Sequence, residues 1–179
     1  SAGRRINVVA VVTDKAKTES WSAPGRREDL LKRFAPRQWA TAARDLINDT
    51  DRWQTWSLYD RPARRRWGQG AMTLLGDAAH PTVPFIAQGA AMAIEDAVTL
   101  AQCLSAQTAN QAADEAADPA QALRLYEGLR RRRTARIQRT SRMMGRIYHL
   151  GGPLAALRDM ALTGMGGEKL RERYDWLYD

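Results

Sequence analysis

One cysteine, Cys103, occurs in the 179 residues, so no intramolecular disulfide can form and a reducing compartment is the default. Histidine is almost as scarce: His80 and His149 are the only two, and neither stands with cysteines or carboxylates at metal-ligand spacing. A metal site is therefore not expected. No apolar run approaches the length of a membrane span and no signal peptide is visible, which points to a cytoplasmic protein with no membrane partner. Also missing is the glycine fingerprint GxGxxG, which seats a dinucleotide pyrophosphate at a helix N-terminus. The first residue is Ser1 rather than methionine, and Arg5 to Thr13 reads as a buried strand with no upstream partner. A piece of a longer chain is the expectation.

What is present is compatible with a buried core: 44% of residues are hydrophobic and 27% charged. The formal charge of +8 raises nucleic acid or another acidic surface as a partner. The chain is organised around Ala71 to Cys103, AMTLLGDAAHPTVPFIAQGAAMAIEDAVTLAQC. Ala71 to Leu75 has the length of a buried strand, Gly76 and Asp77 stop it, a loop holding Pro81 and Pro84 follows, and a helix starts at Gly89. An ionised Asp77 at a strand end only accepts hydrogen bonds, which suits a sugar or polyol hydroxyl. Gly76 lets a ligand approach the backbone, and the two prolines lower the entropy cost of ordering the loop over it. Gly89, Ala90 and Ala91 fall where a helix leaves its first N–H groups unpaired, at the positive end of its dipole. An anionic or electron-rich group gains several donors there at once. The plain alternative is an ordinary strand–loop–helix connection with Asp77 as a turn residue.

The order GDAAHP, then Pro84, then QGAAMAIEDA resembles the second flavin-contact motif of the group A aromatic hydroxylases. These are single-component FAD monooxygenases of the p-hydroxybenzoate hydroxylase fold, and the likeness is nearest the branch with salicylate hydroxylase and 6-hydroxynicotinate monooxygenase. The resemblance implies that Gly76 and Asp77 meet the ribityl chain of FAD and that Pro84, with Phe85, walls the space between flavin and substrate. It also implies that Gly89, Ala90 and Ala91 face the pyrimidine edge of the flavin ring. Many relatives carry Asn where this chain has Ala91, which matters little if the contact is made by backbone. The implied activity is hydroxylation of a small aromatic, a phenol or hydroxyaromatic carboxylate, with FAD, NADH or NADPH, and oxygen. No nucleophile is required and none is evident. The family is about twice as long and begins with GxGxxG, so the match covers its C-terminal half. The missing N-terminal half would hold the ADP end of FAD, and these residues alone would be inactive. A homodimer is left open.

The fold class expected is α/β, more strictly an α+β fragment: part of a Rossmann-like FAD-binding domain, a remnant of the substrate-domain sheet, and a long C-terminal helix. Residues 1–62 would end the substrate domain, 63–108 form the second half of the FAD-binding domain, and 109–179 a helical region. Within the first segment, Ser22 to Gly25 reads as a turn, Arg27 to Ile47 as one amphipathic helix (Leu30, Leu31, Phe34, Trp39, Ala43, Leu46), and Trp53 to Tyr59 as a strand. Trp56, Leu58 and Tyr59 could reach substrate, although aromatics at alternating positions are more often packing residues. Arg64 to Arg66 beside Trp67 could bind phosphate or single strands, but a solvated hairpin is the commoner use. His80 follows Asp77 by three residues and is a secondary candidate for acid–base chemistry; hydrogen bonding within its loop is the favoured role.

After Leu104 comes a polar, acidic connection of freely variable length, and Pro119 restarts a helix. Ala120 to Leu150 reads as one long helix whose apolar positions are Leu123, Leu125, Tyr126, Leu129, Ile137, Met143, Met144 and Ile147. Its arginines, Arg130 to Arg133 and Arg136 to Arg146, supply most of the positive excess. Either the helix is a basic, non-catalytic binding module for nucleic acid or protein, or its arginines pair with acids in the missing half; the second is favoured. A shorter helix spans Leu154 to Leu162, glycines punctuate at Gly164 to Gly167, and the RYDWLYD end resembles the tail of the salicylate hydroxylase-like branch.

Overall fold

A computed structural model describes residues 6–13, 20–35, 39–109 and 118–178. The chain separates into two compact units, Ser1–Leu58 and Tyr59–Asp179. Helix dominates the second, and a two-stranded antiparallel sheet in the first supplies the only strands among the described residues, a mixed α and β composition.

In the first unit, β1 (Ser22–Gly25) pairs antiparallel with β2 (Trp53–Trp56), with Ser22 opposite Trp56 and Gly25 opposite Trp53. The segment read as a turn is thus a strand: its backbone finds a partner, and Pro24, which has no N–H, is tolerated in a two-stranded ladder. The single helix expected over Arg27 to Ile47 is two, α1 (Arg27–Arg33) and α2 (Thr41–Asn48). Phe34 leaves helical geometry at φ −98°, ψ 62°, and Arg44 donates to its carbonyl at 3.0 Å, capping the break. Pro36, two residues on, could not have continued the ladder in any case. Phe34 is buried and meets Trp39 edge-on at 4.6 Å, while Ile47 is buried on α2. Residues 6–13 belong to no strand, since no other described segment offers them a ladder. Trp56 and Leu58, read as packing residues, are exposed here, and Tyr59 at the start of the second unit is exposed as well.

The second unit is built on α3 (Gly89–Ala109) and α4 (Pro119–Tyr148), which pack together, followed by α5 (Gly152–Glu172). Asp118 caps α4 by accepting from Ala120 N at 2.9 Å, and Pro119 occupies the first turn, where its missing N–H costs nothing. α5 runs past the expected end at Leu162 and bends at Gly166, whose φ of 70° lies outside the helical region. Two apolar clusters lie along the α3–α4 seam. One holds Trp67, Ala79, Cys103, Ala122 and Tyr126; the other holds Met92, Ile137 and Leu177. Their order, with Met92 against Ile137 and Cys103 against Tyr126, requires the helices to run antiparallel. Cys103 is the small core residue its helical position suggested, and burial pushes its thiol pKa up.

The buried face of α4 takes in only part of its apolar set: Leu123, Tyr126 and Ile137 are buried, together with polar residues. Leu125 and Leu129 are more than half exposed, whereas Glu127, Arg130, Thr134, Gln138 and Ser141 are buried at intervals of three and four. Glu127, Arg130, Gln138 and Ser141 meet backbone or a partner charge from the segment before α3 or from α3 itself, and Thr134 bonds back to the Arg130 and Arg131 carbonyls of its own helix, so burial is compensated. The expected strand over Ala71 to Leu75 is reduced to one antiparallel bridge between Gln69 and Met72, and residues 73–75 are irregular. Side chains of α4 satisfy this stretch where a neighbouring strand would otherwise do so. Tyr126 donates to Leu74 O at 3.4 Å, and Glu127 accepts from Thr73 Oγ1 at 2.7 Å and from Trp67 N at 3.3 Å.

Gly145 is where the loop carrying Phe85 touches α4: a Cβ there would sit 2.5 Å from Phe85 Cε2. Gly128, on the same helix, has open space around it. Gly145→Ala should therefore destabilise by about 1–3 kcal/mol through overpacking. Gly128→Ala should stabilise by about 0.5–1 kcal/mol by removing glycine from a helix interior. Urea unfolding of both variants checks the pair; a shift of the same sign in each would refute this packing.

Candidate flavin-contact site

The segment from Gly76 to Ala91 folds as two short 3₁₀ turns, Gly76–Ala78 and Pro84–Ile86, ahead of α3. Gly76 has φ +59°, a left-handed conformation that favours glycine, and its N–H donates to Asp96 Oδ2 at 3.0 Å. The turn closes with Ala79 N and His80 N both on Gly76 O at 2.9 Å. Arg61 donates to Ala79 O at 3.0 Å and also to Ala78 O, so the outgoing carbonyls are capped from the chain preceding the turn. Gln138 donates to Pro81 O at 2.9 Å and Ser141 to Val83 O at 2.5 Å, fixing the loop from α4. Ala87 then adopts φ 52°, and the first α3 bond runs from Met92 N to Gln88 O at 3.0 Å. The amides of Gly89, Ala90 and Ala91 precede that bond and so lack intrahelical acceptors.

Of the residues singled out in the sequence, the structure brings Gly76, Asp77, Gly89, Ala90 and Ala91 to one place. The Asp77 carboxylate is exposed, and its Oδ1 lies 3.9 Å from where a Cβ on Gly89 would project, with no other atom within 4 Å of that point. An acceptor-only carboxylate thus stands beside open backbone and the positive end of a helix. Pro84 is exposed at the head of the second 3₁₀ turn. Phe85 is turned to the end of α4, edge-on to Tyr148 and His149 at 6.1 and 5.7 Å and against Gly145. Its ring is therefore engaged with the end of α4.

The His80 backbone bonds within its loop, to Gly76 O and from Thr82 Oγ1, but its side chain reaches out of it. It is 1% exposed, packs against the Trp67 ring at 5.2 Å, and donates from Nε2 to Asp96 Oδ2 at 2.5 Å. The acceptor is a carboxylate from the second turn of α3, not the Asp77 carboxylate three residues away in its own turn. Asp96 is the residue behind the turn that sequence reasoning missed. Fully buried, it accepts from Gly76 N, from His80 Nε2 and, on its other oxygen, from Arg130 Nε at 2.7 Å. Burial alone would push its pKa up, but the hydrogen bonds from His80, Arg130 and Gly76 outweigh that and hold it below the ordinary carboxylate value. The signal was available. Asp96 lies four residues after Met92 and seven before Cys103, which puts a carboxylate in the middle of an apolar stripe.

The network extends outward. Glu95 takes a bidentate pair from Arg133, at 2.6 and 2.9 Å, and a third contact from Arg130 at 2.6 Å. The Arg133 hydrogen bonds do most to depress its pKa. Arg133 also donates to Trp176 O and Leu177 O at 3.1 and 2.8 Å, and the Arg136 guanidinium stacks 3.6 Å over the Trp176 ring. Arg142 forks onto Asp60, and Arg124 meets Glu127 at 2.8 Å. Of the eight arginines between Arg130 and Arg146, three thus pair with acids of this chain, Arg130, Arg133 and Arg142, where partners outside it were expected, and Arg136 stacks on Trp176. Among the described residues no group of His, Cys, Asp and Glu could hold a metal, and no helix is long and apolar enough to cross a membrane.

The geometry defines one side of a cofactor cradle, suited to a polyol chain at Asp77 and an electron-rich ring edge at the α3 amides. An acceptor for the polyol hydroxyls beside amide donors for the ring edge fits FAD. A family model described as "FAD binding domain" matches residues 1–139, and the chain belongs to that family. It is 36% identical over 98% of its length to 3-hydroxybenzoate 6-hydroxylase of Klebsiella oxytoca, covering 42% of that protein. It is 42% identical over 97% of its length to a 3-amino-4-hydroxybenzoate 2-monooxygenase of Streptomyces platensis, covering 41%. Among solved structures it is similar to a salicylate hydroxylase substrate complex, with TM-score 0.69 and 25% identity over 93% of this chain and 38% of that one. It is also similar to a Klebsiella pneumoniae HpxO variant complexed with FAD, with TM-score 0.68 and 31% identity over 85% of this chain and 38% of that one. The chain therefore spans about two fifths of the length of the curated relatives it matches.

Acid should reveal the buried cluster. The unfolded carboxylates titrate near 3.8 and 4.5, whereas Asp96 and Glu95 titrate lower when folded. The stability they provide is complete above the unfolded values and is lost as pH falls through the folded ones. Urea unfolding from pH 7 to pH 3 should show that loss. Asp96→Asn should cost about 3–5 kcal/mol at neutral pH, where a buried charge pair is broken, and flatten the acid limb. An acid limb as steep as wild type would place the titration elsewhere.

Proposed function

We propose that this chain forms the flavin- and substrate-facing part of an FAD-dependent aromatic-ring monooxygenase that uses NADH or NADPH and oxygen to hydroxylate a phenolic or hydroxyaromatic carboxylate substrate. The observation that carries this reading is the convergence of Asp77 with the open amides of Gly89, Ala90 and Ala91 on a turn bolted to α3. The names of the relatives, hydroxylases of benzoates and salicylate, support the substrate class. When bound, FAD supplies the oxygen-activating chemistry. Asp77 accepts from the cofactor's polyol hydroxyls, and the α3 amides stabilise negative charge on the ring edge they face, an electrostatic task that needs no proton transfer. Gly76 and Gly89 keep side chains out of the approach, and Pro84 stiffens the wall toward substrate, with Phe85 anchoring that wall to α4. No residue here needs to act as a nucleophile, and His80, committed to Asp96, acts through the turn it holds.

On this reading residues 1–62 end the substrate domain, 63–108 complete the FAD-binding domain and 109–179 brace it. The ADP half of FAD calls for a glycine fingerprint that these 179 residues lack, so another segment supplies it. The test is a titration of FAD with the 179-residue chain and with the full-length protein, followed by flavin fluorescence and visible absorbance. Tight binding is expected only of the full-length protein, and Gly89→Val in that protein should weaken it by about tenfold or more by filling the open approach. Failure of the full-length protein to bind FAD would refute the reading, and tight binding by the shorter chain would refute the division of the site.

A further inference from the structure

The Gly76–Ala78 turn carries the exposed Asp77, yet nothing in the turn itself fixes how far that carboxylate stands from α3. The fixing comes from one buried atom. Asp96 Oδ2 receives both Gly76 N, at 3.0 Å, and His80 Nε2, at 2.5 Å, so the residues on either side of Asp77 are tied to one point on α3. Its other oxygen is held by Arg130 Nε at 2.7 Å, and Arg130 reaches on to Met92 O at 3.5 Å and Glu95 at 2.6 Å. The carboxylate therefore cannot rotate without abandoning a guanidinium in a water-free site. Gly76 also packs against the same helix, since a Cβ there would stand 3.3 Å from Ala93 Cβ.

We infer that Asp96 is a positioning residue for the flavin: by clamping Gly76 and His80 to α3, it sets the spacing between the Asp77 carboxylate and the Gly89–Ala91 amides that FAD must bridge. The inference rests on the FAD reading above and adds a residue that touches no ligand. Distance matters here because a bridging ligand gains from both ends only when their separation matches it. The clamp also accounts for a buried charge cluster in a place where apolar residues would serve stability as well. A hydrogen-bonded carboxylate defines one turn position, whereas an apolar contact tolerates sliding.

The test uses FAD titrations of the full-length protein as wild type, Asp96→Asn, Asp77→Asn and the double variant, at a temperature where circular dichroism shows each folded. Glu127→Gln serves as a control, being buried but in contact with residues 67–73 rather than the turn. Asp96→Asn should weaken FAD binding by about tenfold. It should have much less effect once Asp77 is already Asn, because the two act through one contact. Glu127→Gln should lower the melting temperature and leave FAD affinity unchanged. Additive losses in the double variant, or an equal loss from Glu127→Gln, would reduce Asp96 to general stabilisation and overturn the inference. If Asp96→Asn does not fold, His80→Phe, which keeps the ring against Trp67 but removes one donor to Asp96, carries the same cycle with Asp77→Asn. Absence of FAD binding by wild type would instead refute the FAD reading itself.

Discussion

One carboxylate in the second turn of α3 decides how the larger unit is arranged. Asp96 has no access to water, and its two oxygens must be satisfied by protein donors or it would not stay charged. The donors come from a turn, a histidine and the long helix α4, so a single requirement of burial draws three separate segments together. Apolar clusters on either side exclude solvent and make these bonds worth more than they would be at a surface. Tyr126, at the edge of the cluster, shows the same field: burial and the neighbouring Asp96 charge push its phenol pKa well above the ordinary value.

From that point the candidate site is assembled by subtraction as much as by addition. Arginines that would repel one another along α4 are spent on Glu95, Asp96, Glu127 and Asp60, leaving the mouth of the turn with an acceptor and unpaired amides. The tail reinforces this from behind. Leu177 is buried against Met92 and Ile137, and its carbonyl is held by Arg133, so the first turn of α3 has a fixed floor.

Much of this was legible in the order of residues, and the misses have a common cause. Helix starts at Gly89 and Pro119 were marked by an unambiguous break and a proline, and both fall where expected. Pairwise events were not legible. Ser22 to Gly25 has turn composition, and only its partner at Trp53–Trp56 makes it a strand; Ala71 to Leu75 has strand composition, and no described partner makes it one. The break at Phe34 went unread because apolar spacing continued across it. Asp77, Gly89 and Asp96 all stand in one motif. The first two drew notice because their chemistry is exposed, and Asp96 was passed over because a lone carboxylate inside a helical pattern is ordinarily a surface residue.

The buried face of α4 has one further consequence. A helix seated by leucines can slip along its groove and lose little at each step, since one methyl group replaces another. Here Glu127, Gln138 and Ser141 each address a different atom along the path from Trp67 to Val83, and Arg130 addresses Asp96 on α3. A displacement of one turn would strand all of them together, so α4 has a single permitted register, set as the teeth of a key are set. The loop it grips inherits that indexing. Variation in the polar connection before Pro119 can therefore alter the length of the path into α4 without altering where the helix comes to rest.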